Sequence, residues 1–104
     1  MLNPRTIKNS DIEKAMSAGL PCGVVHHGDI VLLRDGRVSL VEAFWGKADE
    51  VCAQIRTLQD LGGPLRQEAD RTAVPDFVEI GRIARPLSWR LRRPGVYRCV
   101  LPLL

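Results

Sequence analysis

Asp35-Gly36 stands between two runs rich in β-branched and large apolar residues. Asp29-Ile30-Val31-Leu32-Leu33-Arg34 precedes it, and Arg37-Val38-Ser39-Leu40-Val41-Glu42-Ala43-Phe44-Trp45 follows. Asp-Gly between such runs is the signature of a two-residue type I′ hairpin turn, because glycine takes a positive φ without steric cost. A two-residue loop sets Arg34 against Arg37, Leu33 against Val38, Leu32 against Ser39, Val31 against Leu40 and Ile30 against Val41. Both faces of the resulting ribbon are apolar, which predicts a hairpin central to a sandwich or small barrel. The same register opposes Asp29 and Glu42, and like charges directly across predict a bulge or splaying there.

The segments on either side are read against this hairpin. Ser10-Asp11-Ile12-Glu13 matches a capping box and Gly19 stands where a helix ends, so a short helix is expected over about residues 11–18. Residues 48–61 fit two patterns. Val51, Ile55, Leu58 and Leu61 line one face of a helix, while Val51, Ala53 and Ile55 alternate as in a strand. A two-stranded ribbon needs a third partner, which favours a strand over about 50–57. Residues 62–75 are polar, with two glycines and two prolines, and read as a long surface loop of the kind that often binds. Strands are expected from Asp76 to Ile83 and from Val96 to Leu101, the latter after an Arg92-Arg93-Pro94-Gly95 turn.

At 104 residues the chain is read as one domain, with a lead-in and short helix over 1–19 and a β-barrel over 23–102. Hydrophobic residues make up 45%, which argues against wholesale disorder. No apolar run approaches the roughly 18 residues of a membrane span. The first twenty residues lack the apolar core of a secretory signal, which points to an intracellular location. Cys22, Cys52 and Cys99 are odd in number and widely spaced, and are expected to be free, buried thiols.

Charge is unevenly distributed. Residues 1–80 carry nine Lys or Arg and twelve Asp or Glu, whereas residues 81–104 carry six arginines and no acid. Arg82, Arg85, Arg90, Arg92, Arg93 and Arg98, interleaved with Trp89 and Tyr97, have the residue types for phosphate contacts and base stacking. A solvated rim, with arginine stems lying over apolar surface, uses the same residues. Phe44 and Phe77 are expected in the core, and Trp45, at a strand end, is expected to be exposed at a barrel mouth.

Cys22, His26, His27 and Asp29 contain the types needed for a cysteine–histidine enzyme or part of a zinc site. The ligand count is short and no oriented base or oxyanion hole is signalled, so a turn with solvated histidines is expected, with no catalytic residue, metal or cofactor. Gly62-Gly63 lacks the Lys and Ser or Thr of a phosphate loop.

The order Gly28-Asp29-Ile30-Val31, hairpin, third strand, long loop, Val78-Glu79-Ile80-Gly81-Arg82-Ile83 and Tyr97-Arg98-Cys99-Val100 resembles SH3-like β-barrel readers. Bromo-adjacent-homology modules are the nearest group, over about residues 28–102. The resemblance implies a mostly-β, SH3-like, partly open barrel and a non-catalytic module that recognises a protein or peptide. It carries over no methyl-lysine cage. Trp45, Trp89, Tyr97, Arg82, Arg85, Arg90, Arg92 and Arg93 are the candidate ligand-binding residues. Nucleic-acid binding through the C-terminal arginines is the alternative.

Overall fold

The central hairpin forms where the sequence places it, with a different turn. The structure is a computed structural model and describes residues 13–47, 50–68 and 74–102. Its strands, in chain order, are β1 (Glu13–Ala15), β2 (Ser17–Leu20), β3 (Gly23–His26), β4 (Ile30–Leu33), β5 (Val38–Lys47) and β6 (Glu50–Thr57). They continue with β7 (Gln59–Asp60), β8 (Leu65–Gln67), β9 (Asp76–Glu79), β10 (Ile83–Leu87), β11 (Trp89–Arg93) and β12 (Val96–Cys99). A single 3-10 turn, Ile80–Arg82, separates β9 from β10. The fold is mostly β, with no α-helix among the described residues.

β4 and β5 pair with Ile30 opposite Leu40, Val31 opposite Ser39 and Leu32 opposite Val38, one residue off the expected register. The loop is Arg34-Asp35-Gly36. Gly36 N–H donates to the Leu33 carbonyl at 3.0 Å, and Leu33 N–H donates to the Arg37 carbonyl at 2.8 Å. Gly36 sits at φ +93°, so the loop is the three-residue form with a left-handed third residue rather than type I′. Two forces favour this register. Arg34 and Arg37 no longer face each other, and the Asp35 carboxylate accepts from the Arg37 backbone N–H at 3.0 Å. A one-residue slip also exchanges faces. Val38 now joins Ile30, while Ser39 and Val41 join Val31.

Both faces are covered, as their composition requires. On one side Val31, Leu33, Val41, Phe44, Ala53, Ile55 and Ile83 pack with Ala18 and Val25 of the β2–β3 hairpin. On the other Ile30, Val38, Leu58 and Leu87 pack with Cys99, supported by Leu32, Leu40, Tyr97 and Leu101. Ser39 is fully buried and its hydroxyl has no hydrogen-bond partner among the described residues.

The predicted strand over 50–57 is β6, and it pairs with β5 along its length. That ladder shifts register between Val41 and Ala43, leaving Glu42 as a bulge. A bulge at Glu42 was expected from opposition to Asp29, but Asp29 instead accepts from His26 N–H at 2.8 Å. The extra residue brings Phe44 to the same buried face as Val41, and aims Glu42 at Arg56 (2.8 Å) and Gln54 (3.2 Å).

Three expectations are corrected. The segment read as a helix over 11–18 forms β1 and β2 in its described part, residues 13–18, while residues 11 and 12 lie outside the described residues. β1 is drawn into the sheet by β5, with Ala15 opposite Phe44, and Ala18 lies in the core opposite Val25. The 62–75 loop contains β8, which pairs with β7 and β12. Phe77 is 57% exposed, because β9 is an edge strand and the residue opposite Phe77 is the half-buried Gln54.

The main sheet runs β10-β4-β5-β6-β9, with β1 on the end of β5. Five strands laid flat would put the outer two about 19 Å apart. The four steps from Glu79 to Ile83 span at most about 15 Å. The sheet is therefore rolled, and the 3-10 turn carries the chain from one edge to the other. β9 and β10 form no ladder together, so the roll stays open. A second sheet, β11-β12-β8-β7, lies against the Ile30 side.

Candidate binding surface

The C-terminal hairpin is built by a two-residue turn. Pro94 supplies the fixed φ of the first turn position and Gly95, at φ +77°, supplies the second, so Arg93 pairs with Val96. A bulge leaves Arg92 without a cross-strand partner. Trp89 pairs with Cys99, Arg90 with Arg98 and Leu91 with Tyr97. On the far side of β12, Tyr97 pairs with Arg66 and Arg98 with Leu65.

Alternation sorts these side chains onto two faces. Cys99 and Tyr97 turn toward the core, and burial pushes the Cys99 thiol pKa up. Trp89 and Leu91 share that face but lie beyond the core, 39% and 58% exposed. The Trp89 and Tyr97 rings meet edge to face at 5.0 Å, and the Tyr97 hydroxyl donates to the Glu68 carboxylate at 2.6 Å. The opposite face carries Arg90 and Arg98, both exposed. A depression of about 400 Å³ at their base is lined by Ser88, Trp89, Arg90, Arg98, Cys99 and Val100.

The sequence-derived candidates are thus divided. Arg90, Arg92, Arg93 and Arg98 come together on β11 and β12, and no carboxylate lies within ion-pair distance of them among the described residues. Trp89 and Tyr97 belong to the same hairpin, on its core-side face. Arg85 is exposed on β10, opposite Leu32. Arg82 lies apart, in the 3-10 turn, 3.9 Å from Asp35. Trp45 is on β5 and half-buried rather than exposed. Its indole N–H donates to Gln54 at 2.8 Å, and the Lys14 ammonium lies 5.4 Å from its ring centre. β8, from the segment expected to be a surface loop, pairs with Tyr97 and Arg98 of β12. Leu91, hidden in an arginine run, was missed, although its place between Arg90 and Arg92 gives the strand its alternation.

The cysteines differ from expectation in burial. Cys99 is buried, Cys52 half-buried and Cys22 exposed, all three as free thiols. Cys22 lies in the β2–β3 turn and His26 at the far end of β3, roughly 13 Å along an extended strand. That separation is beyond proton-transfer reach. No three His, Cys, Asp or Glu side chains converge as a metal site among the described residues. No helix of the described residues is long and apolar enough to cross a membrane. No protein-family model matches the chain, and neither the curated proteins nor the solved structures contain a significant match.

Proposed function

We propose that the chain is a non-catalytic binding module, an SH3-like, partly open β-roll that recognises a protein or peptide through the β11–β12 hairpin. The observation that carries this reading is the gathering, on one exposed hairpin whose outer strand has an open edge, of four arginines with no carboxylate partner among the described residues. Such a surface suits an acidic polypeptide, since guanidinium groups bind carboxylates in a planar, two-point geometry. The SH3-like reading, and the likeness to bromo-adjacent-homology modules, rest on strand order: four antiparallel strands, a 3-10 turn and a fifth strand back beside the first. Three free thiols favour a reducing, intracellular setting.

The same arginines support nucleic-acid binding as a second reading. Against it, the aromatic side chains face away from Arg90 and Arg98, so stacking and phosphate contacts fall on opposite faces of the hairpin. Titration of the protein with a poly-glutamate peptide and with single- and double-stranded oligonucleotides separates the two. Peptide binding lost in the Arg90→Ala/Arg98→Ala double variant supports the module proposed. Oligonucleotide binding alone, with affinity falling steeply as salt rises, supports the second reading.

A further inference from the structure

The open edge of β11 has a specific pattern of free backbone groups. Val100 N–H donates to the Ser88 carbonyl at 2.8 Å, which marks Ser88 and Val100 as a hydrogen-bonded pair of the β11–β12 ladder. Pairs alternate in an antiparallel ladder, so Arg90 and Arg98 are also hydrogen-bonded, while Trp89–Cys99 and Leu91–Tyr97 are not. Cys99 agrees, because its N–H turns the other way, to the Pro64 carbonyl at 2.9 Å. The N–H and C=O groups of Trp89 and Leu91 therefore point outward, and no backbone partner meets them among the described residues.

Resting on the proposed function, we infer that the ligand is an extended polypeptide strand that adds to β11, with acidic and apolar side chains in alternation. The main-chain groups of Trp89 and Leu91 supply the pairing, and the two faces of β11 supply selectivity. On one face the incoming side chains meet Trp89 and Leu91, large apolar groups that lie outside the core. On the other they meet Arg90, with Arg98 one strand behind it. Directly opposed like charges disfavour each other, and a carboxylate placed beside them relieves that repulsion. A second copy of this chain is the wrong occupant, since pairing β11 with itself brings more arginines together. The other edges are poorer templates. Pro86 has no N–H to offer on β10, β7 is two residues long, and β9 carries Asp76 and Glu79, which repel an acidic strand.

The experiment uses the full chain with an alternating glutamate–valine octapeptide. Controls are an alternating lysine–valine octapeptide, a block peptide of the same composition, and oligothymidylate. The alternating acidic peptide is expected to bind, and the block and lysine peptides to bind at least about tenfold more weakly. Binding should slow exchange of the Trp89 and Leu91 amide protons while leaving that of Arg90, already bonded to Arg98, unchanged. N-methylation of alternate peptide residues should abolish binding on one of the two alternations, and this test leaves the protein itself unaltered. Leu91→Pro should weaken binding without removing a ladder bond, and Arg90→Glu should shift preference toward the lysine peptide. Tight binding of both acidic peptides with no cost from N-methylation overturns strand addition while leaving peptide recognition standing. Binding of oligothymidylate alone, or of none of the probes, overturns both.

Discussion

Arg90 and Arg98 stand directly opposite one another across β11 and β12, both exposed and neither paired with a carboxylate among the described residues. In a fold selected for stability alone such a pair is a cost. Arg90→Glu converts it to an opposite-charge pair, and an unliganded protein is expected to gain about 0.5–1 kcal/mol. Added salt should stabilise the wild type more than the variant, because it screens the repulsion. Urea denaturation at two salt concentrations checks both, and destabilisation by Arg90→Glu would show that the two side chains do not oppose each other.

Gly36 is the turn residue whose backbone demands glycine. A Cβ there meets nothing within 4 Å, so the obstacle is the positive φ and not space. Gly36→Val is expected to cost about 1–3 kcal/mol. Gly36→Asn, a residue that tolerates left-handed backbone, should cost clearly less. Equal losses for the two variants in thermal unfolding would contradict the turn geometry.

The same turn carries the pH-sensitive carboxylate. The Arg37 backbone N–H on Asp35, aided by the Arg37 guanidinium and the Arg82 charge and opposed by some desolvation, holds the Asp35 pKa below the ordinary carboxylate value. A depressed folded-state pKa means stability that is present above about pH 3.9 and lost as pH falls through the lower, folded value. Asp35→Asn should therefore flatten the acid limb of the stability curve and change little near neutrality beyond a constant offset. An unchanged acid limb in urea melts run from pH 5 downward, roughly the span over which such a group titrates, would count against the assignment.

The readable parts of the sequence were those where local pattern and packing agree. Asp35-Gly36 marked the hairpin, and the need of two apolar faces for cover selected strand over helix at Glu50–Thr57. Turn length was not readable, because Asp-Gly serves two- and three-residue loops alike and the choice lay with Arg34, Arg37 and the Asp35 carboxylate. The N-terminal capping box was misleading for a similar reason. Ser10 and Glu13 are local signals, but Ala15 and Ala18 are held by Phe44 and Val25, which lie far along the chain or across a turn. β8 is three residues long with two polar ones, too short to show any period. The arginine excess was evident from composition. Its division, with Arg82 at the Asp35 turn and Arg90, Arg92, Arg93 and Arg98 on one hairpin, depends on the roll of the main sheet.

Glu42 decides which side of β5 faces the core at Phe44. With Glu42 kept in a regular, unbulged ladder, strict alternation from Val41 would place Ala43 inward and Phe44 outward, exposing the largest fully buried side chain among the described residues. Deletion of Glu42 removes the extra residue, so Val41, Ala43 and Phe44 alternate regularly with the Val41–Ile55 and Phe44–Ala53 pairs still on one face, and cooperative unfolding is expected to survive it. Glu42→Gln keeps the residue count and hence the bulge. It weakens the charge-assisted bond from Arg56 at 2.8 Å and leaves an acceptor for Gln54, so a loss of about 1 kcal/mol is expected. Trp45, hydrogen-bonded to Gln54 in the same row, reports on the site by near-ultraviolet circular dichroism. Its signal should persist in both variants, and a deletion variant that no longer unfolds cooperatively would refute the bulge.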